Sequence, residues 1–178
     1  MQFKISIFCL LNGALFALSG CDRPGVVAYI APVDRPAAEA AGLPEGWLRQ
    51  KPGPMQLERY VMQREDGEWT EITVSKLAGD GGGLAANINR WRGQIGLPPL
   101  VDADAVREAE PATEMTEGAW WVDLAGTDER TQQPARTLVL ILPYSGETWF
   151  YKITGHPEVS LSQREPTATF ARTTRLTP

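Results

Sequence analysis

The clearest pattern in the chain is an apolar stripe between positions 84 and 95. Leu84, Ile88, Trp91 and Ile95 recur at intervals of four, three and four residues, which is the spacing of one face of an α-helix. Gly96 follows directly, and two prolines come shortly after it; such residues end helices. The pattern therefore predicts an amphipathic helix over residues 84–95 whose stripe faces the core.

Runs of β-forming residues predict two early strands, over residues 55–62 and 69–77, joined by the hairpin sequence Glu65-Asp66-Gly67. In the second run, Ile72 and Val74 alternate with polar neighbours, which is typical of a strand with one face in water. Three further strands are predicted over residues 118–124, 137–142 and 148–154, and a short connection joins the last two.

Helices are expected to pack on these strands. Residues 102–110 predict a short helix with Asp102 as its cap, and the stretch after Pro157 has helical character that Pro166 breaks, with Phe170 as its core contact. Clustered strands joined by short turns favour antiparallel pairing. The sequence thus predicts an α+β domain, a curved antiparallel sheet of about five to six strands with helices packed on it.

The N-terminus has the composition of a secretory signal. Lys4 precedes an apolar stretch over residues 5–18 that is too short to span a bilayer. The sequence Leu18-Ser19-Gly20-Cys21 resembles the lipobox of bacterial lipoproteins, which implies cleavage after residue 20 and lipid, including palmitate, on Cys21. The expected location is the bacterial cell envelope, periplasm-facing or extracellular, and Asp22 resembles an inner-membrane retention signal.

Residues 21–46 are rich in proline and alanine, a composition that favours an extended tether. Trp47 is too large an apolar group for a solvated linker, so a single domain is expected over residues 47–178. Cys9 lies in the signal over residues 1–20 and Cys21 takes the lipid, so the mature chain has no thiol for a disulfide or for catalysis.

Charge and residue usage argue against several functions. Removing residues 1–20 takes away Lys4 alone and leaves 16 cationic side chains against 22 Asp and Glu, a net charge of −6, which disfavours nucleic-acid binding. The spacing of potential ligands fits neither a zinc site nor an EF-hand, and His156, the single histidine, is expected in a turn. We therefore predict no cofactor, no metal and no catalytic residue.

The glycine run Gly79-Asp80-Gly81-Gly82-Gly83 precedes the predicted helix and allows two interpretations. Bare backbone N–H groups at a helix start favour anions, but neither a P-loop nor a dinucleotide motif follows. Asp80 is instead expected to cap the helix, with its charge at the positive end of the helix dipole. Binding of an anion by this loop stays the alternative.

Two other surfaces are candidates for binding. The far side of the predicted helix carries Asn89 and Arg90 beside small residues, and Arg92 lies at the border of the stripe, where hydrogen bonds to nearby loops are expected. Adjacent aromatic residues on strands point to opposite faces, so one of Trp120 and Trp121, and one of Trp149 and Phe150, is a candidate for stacking a sugar or a partner. Packing in the core is the alternative for both pairs.

Longer segments carry a family resemblance. Pro44-Glu45-Gly46-Trp47 before the first strand, the early hairpin, and the segment from Trp149 to Gly155 before a last helix resemble the PsbP-like fold, which implies an exported accessory protein with helices on a curved antiparallel sheet. The segment GDGGGL, followed by NINRWRGQIGLPP, is similar to that of a family of uncharacterised exported bacterial proteins, which implies no activity.

The sequence leads to two main hypotheses. The first is a membrane-anchored envelope lipoprotein that acts as a non-enzymatic accessory module and binds an envelope protein. The second is a periplasmic protein that binds a small anion or a glycan, and an enzyme comes third. A pocket with convergent polar groups would favour a ligand, whereas a flat aromatic and arginine-rich patch would favour a protein partner.

Overall fold

The computed structural model describes residues 42–174, so the signal segment, Cys21, Asp22 and most of the tether lie outside the described residues. One sheet of seven antiparallel strands forms the centre of this domain, in the order β1-β2-β3-β7-β6-β5-β4. The strands are β1 (Leu48–Gln50), β2 (Glu58–Gln63), β3 (Trp69–Ala78), β4 (Ala109–Pro111), β5 (Trp120–Thr127), β6 (Pro134–Tyr144) and β7 (Glu147–Gly155).

Two meanders build the sheet and join along one seam. Strands β1 to β3 follow one another in space, as do β4 to β7, and the pairing of β3 with β7 connects the two groups. Along this seam Thr73 lies opposite Lys152 and Ile72 opposite Ile153. The β6–β7 hairpin turns at Ser145 and Gly146, which both have positive φ angles, as a type I′ turn requires.

Four short helices cover both faces of the sheet: α1 (Leu84–Gln94), α2 (Asp102–Val106), α3 (Pro157–Ser162) and α4 (Arg164–Thr174). Successive residues of a strand point to opposite faces, and the core divides accordingly. One face packs against α1 through a cluster that includes Trp91, Val139 and Phe150. The other packs Trp47 and Tyr151 with Phe170 of α4. Of the helices in the described range, none is long and apolar enough to cross a membrane.

The predicted fold class is wrong. An α+β domain with a curved sheet of about five to six strands was expected, but the domain is mostly β, with seven strands and only short helices. The sequence pattern misses β1 and β4, because a three-residue strand is too short to show alternation. The water-facing side predicted for the second strand is also wrong at Thr73, which is buried, because both faces of the central sheet are covered.

Helix α1 confirms the prediction from the apolar stripe. Ile88, Trp91 and Ile95 are buried, and Ile95 is the C-cap. Gly96 follows with φ of 71°, and Leu97 N–H donates to the Arg92 carbonyl at 2.9 Å. This is the long hydrogen bond of a Schellman motif, which is why the helix ends where glycine and proline predict it.

Predictions for the shorter helices are partly wrong. The helix expected over residues 102–110 stops at Val106, and its cap is Val101 rather than Asp102. The break expected at Pro166 falls instead at Gln163, between α3 and α4. Pro166 lies in the first turn of α4, where backbone N–H groups lack a helical partner in any case. Phe170 is buried as predicted.

Candidate functional site

A groove of about 300 Å³ runs beside helix α1 on the face of the sheet that this helix covers. Its floor is formed by Thr73 and Ser75 of β3 and Lys152 of β7, and α1 supplies one wall. The loop before β2 supplies the opposite wall. The helix side chains are Arg90, Trp91 and Gln94, the loop residues are Pro54, Met55 and Gln56, and Leu77 and Phe150 complete the lining.

Lys152 interrupts an otherwise apolar part of the central strand β7. Its neighbours Tyr151 and Ile153 point to the opposite core, so Lys152 points towards α1. Its Nζ donates a hydrogen bond to Gln94 Oε1 at 3.0 Å. Burial lowers the pKa of Lys152; Glu71 acts to raise it and the charge of Arg90 to lower it. The ammonium is thus partly desolvated beside a second cation.

Arg90 is held at the wall of the groove by a short network. One guanidinium nitrogen donates to Asn87 Oδ1 at 2.6 Å, and Asn87 Nδ2 in turn donates to the carbonyls of Gly81 and Gly83 at 3.0 and 2.9 Å. The guanidinium also lies 6.0 Å from the centroid of Trp91. The glycine loop therefore contributes to the groove only indirectly: its carbonyls orient Asn87, and Asn87 orients Arg90.

Arg90 and Lys152 are unusual among the cations of residues 42–174, since neither forms an ion pair with a described carboxylate. Nine of the thirteen described arginines and lysines lie within 4.0 Å of a carboxylate, and the four that do not are Lys51, Arg90, Arg130 and Lys152. Two of the four thus line one groove, and no acidic residue of the described range lines it with them. The groove is a local cationic site in a chain with a net negative charge.

The loop wall of the groove is held in place by its own hydrogen bonds. Gly53 N–H donates to Gln56 Oε1 at 2.7 Å, and Leu57 N–H donates to the Val74 carbonyl at 2.7 Å. Met55 between them has φ of 62° and is 79% exposed. A left-handed conformation at a residue other than glycine costs free energy, and the two flanking hydrogen bonds hold Met55 in it. The loop thus places an exposed apolar side chain beside the cations.

A second cavity, of about 310 Å³, continues along α1 towards its N-terminus. Leu84, Trp120, Ile141, Pro143 and Phe150 give it a mainly apolar lining, and Gly79 and Gly118 also contribute. Its polar residues form internal hydrogen bonds: Asp80 accepts from Gly82 N–H, Thr148 donates to the Gly79 carbonyl, and Asn87 belongs to the network with Arg90. This cavity is therefore suited to an apolar group.

The predicted binding residues are divided among three places. Arg90 lines the cationic groove and Asp80 lines the apolar cavity, whereas Asn89 and Arg92 hold the segment that follows α1. Asn89 exchanges two hydrogen bonds with the backbone of Leu100. Arg92 is buried, donates to the Pro98 carbonyl at 2.9 Å and pairs with Glu108 at 3.1 Å. The hydrogen bonds to loops that were expected of Arg92 are therefore present.

The prediction that Asp80 caps α1 is wrong. The N-cap residue of α1 is Gly83, and no described side chain forms a capping hydrogen bond there. Asp80 Oδ1 instead accepts the Gly82 N–H at 3.0 Å. Gly81, Gly82 and Gly83 all have positive φ angles, so the backbone curls between Asp80 and the helix. The carboxylate stabilises this curl rather than the helix dipole.

The paired aromatic residues pack mainly in the two cores, which was the alternative expected for them. Trp121 and Phe150 are buried, and Trp120 and Trp149 are half-buried against the two cores, because helices cover both faces of the sheet. His156 lies immediately before α3 and lines neither cavity. Within residues 42–174, no group of three or more His, Cys, Asp and Glu side chains could hold a metal ion.

The sequence analysis did not identify Lys152, Thr73, Ser75 or Gln94 as site residues. The available signal was the lysine itself, because a charged residue in the middle of the run Trp149-Phe150-Tyr151-Lys152-Ile153 is rare in a buried central strand. Its partners could not be identified in the same way, since α1 and β3 are distant from it in sequence.

Comparisons with known proteins place the chain in no established family. No protein-family model matches it, and no curated protein matches it. Among solved structures, it is similar to a protein from Bacteroides thetaiotaomicron VPI-5482 determined at 1.50 Å resolution, with 11% sequence identity and a TM-score of 0.43. The similarity covers 70% of this chain and 40% of the other, so the present chain spans less than half of that protein.

Proposed function

We propose that the protein is a lipid-anchored, non-enzymatic binding module of the bacterial cell envelope and that its groove binds an anionic group. Lipid on Cys21 would hold the chain at a membrane, and the tether over residues 21–46 would carry the domain away from it. Of the two hypotheses drawn from the sequence, this is the one in which the domain binds a small ligand. Binding of an envelope protein stays a prediction.

One observation carries the proposal: Arg90 and Lys152 share one groove, and neither has a carboxylate partner among the described residues. Two like charges in a partly desolvated site repel each other. A bound anion would offset this repulsion and would also favour the charged form of Lys152. Structural cations usually sit beside a carboxylate, as nine others do in this domain, so two exceptions in one concave site favour a ligand.

The uncharged groups of the groove fit the same class of ligand. Thr73 and Ser75 place hydroxyl groups on its floor. The Thr73 hydroxyl donates to the Lys152 carbonyl at 3.5 Å, whereas the Ser75 hydroxyl can donate to an oxyanion. The amide of Gln94 already fixes Lys152, and Asn87 fixes Arg90. Because both cations are held before binding, less side-chain entropy would be lost when an anion arrives.

The test uses inorganic phosphate as the probe and the full chain carrying Cys21→Ser, so that no lipid is attached. Dissociation constants would be measured by NMR titration for this protein and for the additional variants Arg90→Gln and Lys152→Gln. The matched control is Arg130→Gln, which removes an exposed, unpaired arginine outside the groove. We expect each groove variant to weaken phosphate binding at least about tenfold and the control to leave it unchanged. Equal weakening by all three variants would show non-specific attraction and refute the proposal.

A further inference from the structure

The cationic groove and the apolar cavity lie next to each other beside α1 and share Phe150 in their linings. Along β7, Lys152 and Phe150 line the groove, whereas Phe150 and Thr148 line the cavity. The two parts follow α1 in the same order: its Arg90, Trp91 and Gln94 border the groove, and its Leu84 and Asn87 border the cavity. Phe150 is thus a wall common to both.

The two cavities together extend over about the length of a short aliphatic chain with a head group. Strand residues advance by about 3.3 Å each, so the four steps from Thr148 to Lys152 cover roughly 13 Å. The charges lie at one end, since Arg90 and Lys152 belong to the groove alone. At the other end, the polar side chains of the apolar cavity already have hydrogen-bond partners within the chain, so its surface offers mainly hydrocarbon contacts.

We infer that the ligand is a single-chain amphiphile, with its anionic head in the cationic groove and its aliphatic part in the apolar cavity. The inference rests on the proposed function, because it assigns the head to the same Arg90 and Lys152. A small inorganic anion would leave the apolar cavity to water, whereas burial of aliphatic carbon there is favourable. The two cavities together therefore select for a molecule that has both parts.

The experiment compares octyl phosphate, inorganic phosphate and uncharged octyl glucoside on the full chain carrying Cys21→Ser, below the micelle concentration of each amphiphile. Each methylene removed from water strengthens binding by about threefold to fourfold. Octyl phosphate is therefore expected to bind at least about thirtyfold more tightly than inorganic phosphate, even if only part of the chain is buried. Octyl glucoside is expected to bind weakly, because it lacks the charge that Arg90 and Lys152 would contact.

Two variants of Leu84 test the position of the aliphatic part. Leu84→Trp fills the apolar cavity and Leu84→Gln makes its wall polar at similar size, so octyl phosphate should bind each about tenfold or more weakly. Inorganic phosphate should bind both as before. Leu84 is half-buried, and the unfolding temperature of each variant would verify the fold; if the tryptophan variant is unstable, the glutamine variant gives the answer.

The outcomes separate this inference from the proposed function. Equal affinities for octyl phosphate and inorganic phosphate, both dependent on Arg90, would overturn the amphiphile and leave the anion site. Tight binding of octyl glucoside, or octyl phosphate binding that no Leu84 variant weakens, would also overturn it. Absence of Arg90-dependent binding for both phosphates would overturn the proposed function and this inference together.

Discussion

Lys152 Nζ donates to Gln94 Oε1 at 3.0 Å, so a neutral amide rather than a carboxylate holds this ammonium in place. The hydrogen bond joins the centre of β7 to helix α1 and fixes the ammonium at the floor of the cationic groove. Burial lowers the pKa of Lys152, and of the two charges nearby Glu71 opposes the change and Arg90 adds to it. Lys152 therefore loses its proton at a lower pH than an exposed lysine does, and the positive charge of the groove decreases with it.

The first prediction concerns the pH dependence of phosphate binding. A lysine whose pKa is lowered in the folded protein loses its proton as the pH passes that lowered value, below its ordinary value of 10.5. Affinity for phosphate should accordingly be highest below the lowered pKa and should fall as pH rises through it. Lys152→Arg should retain affinity to higher pH, because a guanidinium stays charged. Titrations of both proteins across the alkaline range would measure this.

The same group also affects stability, with a definite sign. The unfolded chain binds more protons than the folded one between the two pKa values, so the free energy of unfolding should increase with pH in this window. Lys152→Arg should remove that increase. Identical pH profiles for the wild type and Lys152→Arg, in both binding and unfolding, would contradict the lowered pKa of Lys152.

The second prediction concerns Asn89, whose side chain both donates to the Leu100 carbonyl at 2.9 Å and accepts the Leu100 N–H at 2.8 Å. Asn89→Ala should lower the free energy of unfolding by about 1–3 kcal/mol, because it leaves two backbone groups without a partner. Urea unfolding would measure the change, with Gln133→Ala, at an exposed position, as a control within about 0.5 kcal/mol. Unchanged stability in Asn89→Ala would instead return Asn89 to the list of residues available for binding.

Elements with a strong local pattern could be predicted from the sequence. Helix α1 follows from its four-residue stripe and the glycine after it, and the hairpin between β6 and β7 follows from residues that accept a tight turn. Trp47 and Phe170 were recognised as core residues because large aromatic groups are costly to expose. The strands β1 and β4 could not be predicted, because three residues are too few to show an alternating pattern. Both lie at the edges of the sheet, and the order of strands in a sheet depends on tertiary packing.

The groove could not be predicted, because it depends on which strands become neighbours. Pairing of β3 with β7 places Thr73 opposite Lys152, although the two residues are far apart in the chain. Arg90 was identified as a cation on the far side of the helix, but its position in the same groove as Lys152 results from the packing of α1 on this face of the sheet. The expected role of Asp80 was wrong for a local reason, since three successive positive φ angles separate it from the helix.

The third prediction concerns Cys21, which lies outside the described residues. If the resemblance to a lipobox reflects processing, labelled palmitate should be incorporated into the wild-type chain in bacterial cells and should be absent from Cys21→Ser. Fractionation should place the wild type with membranes. The conservative control is Cys9→Ser, which alters a cysteine of the signal segment and should retain the label. Label on Cys21→Ser equal to that on the wild type would exclude lipidation at this residue.

The fourth prediction compares two glycines near the end of α1. Gly126 of β5 lies against this end, and a Cβ there would overlap the Ile95 carbonyl oxygen and lie 3.2 Å from its Cγ1. The same carbonyl accepts the Thr127 N–H at 2.9 Å, so the helix cannot withdraw without losing that hydrogen bond.

Gly126→Ala should therefore lower the free energy of unfolding by about 1–3 kcal/mol, the usual effect of overpacking. Gly93 is exposed within α1, and a Cβ there would meet no atom of the described residues within 4 Å. Gly93→Ala should therefore raise the same free energy by about 0.5–1 kcal/mol, because alanine has a higher helix propensity than glycine. Urea unfolding of the two variants should thus give changes of opposite sign. Destabilisation by Gly93→Ala would mean that another group packs against this side of the helix, and a neutral Gly126→Ala would mean that α1 and β5 are not in contact at Ile95.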